Sequence, residues 1–166
     1  MFNTKFDEAV NVVSAFVPVN LATAGAVGDV VSMKNFDKCS IIILNAAGGV
    51  GEDPIVTVEQ ATDVTGAGAK AVNFTRYAIK NGAALTSVGT YTVTTMAAGN
   101  TVTLSGADQV VLVIDIEGDM LDVDNGFDCI RVSVSDPGAT AQLGCGLYAL
   151  SNPRFGKSGN VSAIVD

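Results

Sequence analysis

The sequence predicts an all-β fold, an antiparallel β-sandwich or barrel. Short segments rich in Val, Ile, Thr and Tyr recur between clusters of Gly, Asn, Asp and Pro, which is typical of that class. Several segments alternate strictly between apolar and polar residues, as half-buried antiparallel strands do. The chain has 166 residues, the size of one ordinary domain. We therefore expect residues 1–166 to form a single β-sandwich domain.

The alternation and the turn residues between the segments give the expected strand positions. The predicted strands are, in order, Phe16–Asn20, Asp29–Met33, Cys39–Asn45, Ile55–Gln60, Val72–Ile79, Gly89–Thr95, Thr101–Leu104, Gln109–Ile116, Phe127–Ser135 and Gln142–Leu150. The run Ile41-Ile-Ile-Leu44 is apolar on both faces. It predicts a central strand whose second face is covered either by this chain or by a partner subunit.

The two ends of the chain are expected to lie outside the strands. The spacing of Phe6, Val10 and Val13 predicts a helix from Phe6 to Ser14, and residues 1–15 are a candidate N-terminal arm. Phe2, Phe6 and Phe16 are its candidate contacts to a neighbouring molecule, the alternative being a helix that closes one end of the sandwich.

At the other end we expect Pro153 to terminate the last strand, because proline cannot donate to a ladder. Residues 152–166 then form a C-terminal tail. Arg154 and Phe155 are of types enriched at interfaces and are candidate contact residues there. A disordered tail is the competing interpretation.

The charge balance excludes one class of partner. Seventeen Asp and Glu against nine scattered Lys and Arg give a net charge of −8, which repels a phosphate backbone, so we expect no direct binding to nucleic acid. No apolar run approaches the roughly 20 residues that span a bilayer, and the N-terminus lacks a secretory pattern. We expect no membrane association and folding in the cytoplasm of a cell.

The residues that usually carry catalysis are scarce. Histidine is absent, which removes the commonest general base and metal ligand, so we expect neither enzymatic activity nor a cofactor. The three cysteines, Cys39, Cys129 and Cys145, are odd in number and widely spaced, which predicts free thiols. Cys145 alternates with Leu143 and Leu147, and we predict that it is a small core residue.

The densest acidic stretch is Asp115–Asp128. Its oxygens could gather a calcium ion, although Val123 stands where an EF-hand loop needs a liganding residue. The competing interpretation is a solvated connection between strands, rich in turn-forming Asp and Asn.

From Lys38 to Asp166 the order of segments resembles the capsid decoration, or cement, proteins of tailed bacteriophages. The resemblance is carried by Cys39-Ser-Ile-Ile-Ile-Leu-Asn45, Ile55-Val-Thr-Val-Glu-Gln-Ala61, Val110-Val-Leu-Val-Ile-Asp-Ile-Glu117, Phe127-Asp-Cys-Ile-Arg-Val-Ser-Val134 and Gly146-Leu-Tyr-Ala-Leu-Ser-Asn-Pro-Arg-Phe155.

This resemblance implies a jelly-roll-like β-sandwich that binds the outside of a phage capsid in many copies and stabilises it, without an active site. The implied partner is the major capsid protein, the implied location is the virion, and we expect a homo-oligomer, either trimer or dimer. A phage tail or receptor-binding module that recognises carbohydrate is the alternative function, and an enzyme is the third.

Overall fold

The computed structural model describes residues 5–154 and 162–164, which form a two-layer antiparallel β-sandwich. Helix α1 (Phe6–Ala9) is followed by β1 (Val10–Asn20), β2 (Ala26–Val27), β3 (Val31–Ser32), β4 (Phe36–Asn45), β5 (Ile55–Ala61), β6 (Lys70–Ala71), β7 (Phe74–Gly82), β8 (Thr92–Gly99), β9 (Thr101–Thr103), β10 (Gln109–Glu117), β11 (Cys129–Val134) and β12 (Leu143–Pro153). Short 3-10 turns lie at Leu21–Thr23, Leu85–Ser87, Gly118–Met120 and Val123–Asn125. None of the described helices is long and apolar enough to cross a membrane.

The strand order has jelly-roll topology. The large sheet runs β1-β12-β4-β10-β7-β8, and the small sheet runs β2-β11-β5-β6, with β3 also paired to β11 and β9 to β5. The short strands β2 and β3 lie in line along β11, and β6 and β9 lie in line along β5. Counting each in-line pair as one strand, the sheets have the orders 1-8-3-6 and 2-7-4-5, which is a jelly roll. The β7–β8 hairpin is inserted between the two halves of the fifth strand.

The core lies between the sheets and consists of the inward residues of each alternating strand. Ile130 and Val132 of β11 are fully buried, as the apolar–polar alternation of that strand predicts. Ile41 and Ile43 of β4 are also fully buried, at every second position of the strand. The buried cluster also includes Leu112, Ile114 and Ile116 of β10 and Tyr148 and Leu150 of β12. Burial of each such aliphatic side chain stabilises the fold by roughly 1.5–3 kcal/mol.

The extent predicted for the N-terminal helix is wrong, and the last strand is longer than predicted. Residues 10–14 are not helical but begin β1, where Val10 pairs with Ser151 and Val13 with Tyr148, so the predicted helix is limited to Phe6–Ala9. The backbone pairing that β12 offers along this β-branched segment outweighs its helical spacing. Strand β12 runs past its predicted end at Leu150 and ends at Pro153, opposite Phe36, as expected of a residue that cannot donate to a ladder.

The prediction that Cys145 is a core residue is also wrong. Cys145 is half-buried, Leu143 and Leu147 are exposed, and the inward positions of this part of β12 are Gly144 and Gly146. A Cβ on Gly146 would lie 2.6 Å from the Phe16 ring, and one on Gly144 would lie 2.8 Å from the Leu21 side chain. The side chains of Phe16 and Leu21 therefore occupy the space over these glycines, and Leu143, Cys145 and Leu147 face outward.

A carboxylate joins two loops at one end of the sandwich. Glu52 accepts hydrogen bonds from the backbone N–H groups of Thr140 at 2.8 Å and Ala139 at 3.1 Å. Hydrogen bonds from the Thr140 hydroxyl and backbone hold the pKa of Glu52 below its ordinary value. This contribution to stability is present above the ordinary pKa of a glutamate and is lost as the pH falls through the lowered pKa.

We therefore expect the thermal midpoint to fall as the pH drops below about 4, the region where ordinary glutamates protonate. Glu52→Gln should make this fall shallower, with thermal unfolding followed at a series of pH values. Part of the dependence of the thermal midpoint on pH will remain in this variant, because hydrogen bonds from Thr65 and Lys70 also lower the pKa values of Asp63 and Asp122. Glu117→Gln is the control at an exposed glutamate, and an equal effect of both variants would contradict the assignment to Glu52.

Candidate functional site

The three predicted contact residues that the structure describes do not share one surface. Phe2 and Phe155 lie outside the described residues. Phe6 is 69% exposed on α1, whereas Phe16 is half-buried in β1 and packs against the core beside Gly146. Arg154 is held by its Nε, 2.8 Å from Asp37 Oδ1. Because Val10 pairs with Ser151, helix α1 and Arg154 are near the same end of β12. Phe16 pairs with Gly146 and therefore lies further along β1, away from that end.

The outer faces of the two sheets differ in polarity. On the small sheet, the outward residues of the central pair β5 and β11 are Thr57, Glu59, Arg131 and Ser133, and Arg131 Nη2 lies 2.6 Å from Glu59 Oε2. The exposed apolar residues of this sheet, Ile55 and Val27, lie at its border. This face needs no cover, since its polar groups are solvated or paired.

The outer face of the large sheet is apolar over two rows of cross-strand neighbours. In one row Leu147, Ile42, Val113, Ala78 and Val93 are consecutive partners across β12, β4, β10, β7 and β8. In the next row Cys145, Leu44 and Val111 are partners across β12, β4 and β10. We call these eight residues the outer apolar face.

All eight residues of this face are at least partly exposed to solvent. Val93 is 51%, Leu44 47% and Leu147 39% accessible, and the remaining members are half-buried. A contiguous apolar surface on a sheet is the usual mark of an interaction site, because isolated apolar residues on a surface are ordinary and grouped ones are not. The prediction that β4 is a central strand is confirmed, and no described residue covers its second face.

Charge is confined to the borders of this face. At one end of β4 and β10, the Ser40 hydroxyl donates to Asp115 Oδ1 at 2.5 Å, and Lys38 Nζ lies 3.2 Å from Asp115 Oδ2. At the β7 side, Lys80 Nζ lies 4.5 Å from the centroid of the Tyr91 ring. An apolar centre with a paired, polar rim is the arrangement found at protein–protein interfaces.

A groove of about 300 Å³ lies beside the outer apolar face, where β4, β12 and the turn at Leu85–Ser87 meet. Its walls are largely apolar and include Pro18, Leu44, Leu85, Gln109, Leu143 and Cys145. Leu85 N donates to Gln109 Oε1 at 3.1 Å, which holds the turn at the wall of the groove. The groove is large enough to receive an apolar side chain from a partner.

The acidic stretch Asp115–Asp128 is divided among separate contacts. Asp115 pairs with Lys38, and Asp122 pairs with Lys70, whose Nζ also lies 3.8 Å from the centre of the Phe127 ring. Within residues 5–154 and 162–164, no three carboxylate, cysteine or histidine side chains are grouped closely enough to hold a metal ion.

The sequence predicts the part of the outer apolar face that lies on β4, but neither its extension to β12 nor its groove. It predicts that Cys145, which alternates with Leu143 and Leu147, lies in the core, because an apolar alternation does not say which of its two faces points inward. The available signal was the second alternation in the same strand, Gly144 and Gly146. Two glycines in a strand interior indicate the close approach of another group on that face.

The fold and this surface define the class of the molecule as an antiparallel jelly-roll β-sandwich with one apolar outer face. No protein-family model and no curated protein sequence matches the chain. Among solved structures, similarity is found to the VP2 subviral particle of infectious bursal disease virus, with 12% identity and a TM-score of 0.23 over 93% of this chain. The chain spans 44% of that protein's length, and a TM-score this low supports no transfer of function.

Proposed function

We propose that this chain is a non-enzymatic virion structural protein that binds the outside of a phage capsid in many copies and stabilises it. The observation that carries the proposal is the outer apolar face, an uncovered surface across five strands of a protein whose other sheet has a polar centre on the outside. Jelly rolls are a fold class used in viral shells, which agrees with the proposal but does not establish it, since one fold serves many functions.

The proposed contact is between the outer apolar face and the major capsid protein. Removing Leu44, Val93 and Leu147 from water supplies the affinity, and the ion pair of Lys38 with Asp115 at the rim contributes to orientation. A shell repeats the same contact by symmetry, so each copy can bind modestly while the linked copies together resist shell expansion.

The test is co-sedimentation of the purified chain with capsids of the source phage that lack it. Leu44→Lys places a charge at the centre of the face and should weaken binding by at least tenfold, on the order of the 1.4 kcal/mol or more that a buried, unpaired charge costs. Thermal unfolding should change little, because Leu44 is 47% exposed. Val93→Lys, at a position that is 51% exposed, provides a second variant on the same face.

Val27→Lys is the matched control, because Val27 is 71% exposed on the small sheet and receives the same added charge. Capsid binding that is equal in Leu44→Lys, Val93→Lys and the unmodified chain would refute the proposed contact. Cryo-electron microscopy of virions tests the location. Density for this chain on the tail instead of the head, together with retention on immobilised host glycans, would favour the receptor-binding alternative.

A further inference from the structure

The free edge of the large sheet at β8 has the properties of a strand that pairs with another chain. Strand β8 is antiparallel to β7 on one side, and no described residue pairs with its other side. Its eight residues, Thr92-Val-Thr-Thr-Met-Ala-Ala-Gly99, contain neither a charge nor a proline. Exposed edges of this kind are normally protected by lysine, proline or bulges, because their unpaired N–H and C=O groups accept a further strand.

The other edges of the sandwich are interrupted or short. At the opposite edge of the large sheet, β1 contains Pro18 and two register shifts, between Ser14 and Phe16 and between Phe16 and Val19. The edges of the small sheet are formed by strands of two or three residues, β2, β3, β6 and β9. Strand β8 also has a register shift against β7, between Thr95 and Gly99, so the regular part of this edge is Thr92–Thr95. It differs from the regular part of β1, Val10–Ser14, in charge, because Asp7 and Glu8 directly precede β1 and no charged residue lies near β8 in the sequence.

The distribution of charge indicates what the partner is. The chain has a net charge of −8, so two copies repel each other over most of their surface. Between Lys80 and Asp108, however, the sequence contains no charged residue, and β8 lies in the middle of this stretch. Two acidic molecules can approach most closely along an uncharged edge, and antiparallel pairing of a strand with its own copy satisfies both edges at once.

We infer that β8 pairs with β8 of a second copy, forming a two-fold dimer with one continuous sheet. The two-fold axis of an antiparallel strand pair is perpendicular to the sheet, so both outer apolar faces lie on the same side of the dimer. The interface is isologous, and each copy contributes the same row of backbone donors and acceptors. This inference concerns the isolated chain and does not depend on capsid binding.

The experiment is sedimentation equilibrium of the full chain and of three variants. Thr95→Lys places a charge at an exposed position of β8, where the two-fold brings it near its copy, and should raise the dimer dissociation constant by about tenfold or more. Thr103→Lys makes the same change at an exposed position of β9 and should leave the constant unchanged. Leu44→Lys, which tests the outer apolar face, should also leave the dimer intact.

Amide hydrogen exchange supplies a readout that reports on the edge itself. Exchange at residues 92–99 should slow as the protein concentration rises in the unmodified chain, and this dependence should disappear in Thr95→Lys. An unmodified chain that is monomeric at every concentration studied would overturn the inference. So would a dimer that Thr95→Lys leaves intact, or one that Leu44→Lys dissociates, because the contact would then lie elsewhere. Loss of capsid binding with the dimer preserved would separate failure of the proposed function from failure of this inference.

Discussion

Gly106→Ala is expected to lower the free energy of unfolding by about 3 kcal/mol or more, since backbone overlap in a packed interior is among the costliest substitutions. A Cβ at this position would lie 2.0 Å from Glu52 O and 2.7 Å from Gly49 O. These are backbone atoms, which cannot rotate away as the end of a side chain can. The carbonyl oxygen of Gly106 accepts a hydrogen bond from Gly48 N at 2.7 Å, and the Gly106 N–H donates to Asp53 Oδ1 at 2.7 Å.

Chemical denaturation of Gly106→Ala measures this loss. Gly89→Ala is the matched control, because a Cβ there meets no atom within 4 Å, and we expect its effect to stay within about 0.5 kcal/mol. If Gly106→Ala unfolds at the same denaturant concentration as Gly89→Ala, the loop that contains Glu52 is not packed against Gly106 as described.

Tyr148→Phe is expected to cost about 2–4 kcal/mol of stability, because a buried backbone N–H and a partly buried backbone carbonyl lose their partner at once. The Tyr148 hydroxyl accepts from Val132 N and donates to Asp29 O, each at 2.9 Å, and the side chain is fully buried. Tyr148 belongs to the large sheet and Val132 to the small sheet, so this hydroxyl is a polar link between the layers. Burial raises the pKa of Tyr148, which keeps the hydroxyl protonated as a donor.

Equilibrium unfolding in denaturant checks this value. The control is Tyr91→Phe, which removes a hydroxyl from a partly exposed tyrosine and keeps its ring under Lys80, and which should change stability by no more than about 0.5 kcal/mol. Equal unfolding midpoints for the two variants would mean that the hydroxyl does not link the sheets.

Much of the fold was predictable from local patterns. The alternation of Ile130, Val132 and Val134 and the doubly apolar run of β4 depend on the two-residue period of a strand, which any half-buried sheet imposes. The predicted strands over 39–45, 55–60 and 109–116 agree closely with β4, β5 and β10. The general architecture, an antiparallel sandwich, follows from many short strands separated by turn residues.

The candidate site was harder to predict from the sequence than the fold, because its residues are distinguished by the absence of covering contacts from the rest of the chain. Leu147 and Leu44 look like core residues in the sequence, and Phe16 looks like an exposed anchor. The structure reverses these roles, since Phe16 packs over Gly146 while Leu147 and Leu44 are exposed on the outer face of the sheet. A choice between two apolar faces depends on residues more than a hundred positions away in the sequence, which local periodicity cannot include.

The amino-acid sequence by itself determined that most segments are strands or turns. It also determined the net negative charge, by which two copies repel each other, and the uncharged stretch between Lys80 and Asp108. Only tertiary contacts decided that residues 10–20 form a strand against β12, that the β7–β8 hairpin extends the large sheet, and that one sheet has an apolar outer face. The physical reason is that backbone preference and alternation act over a few residues. Pairing partners and burial are settled when distant segments compete for the same space.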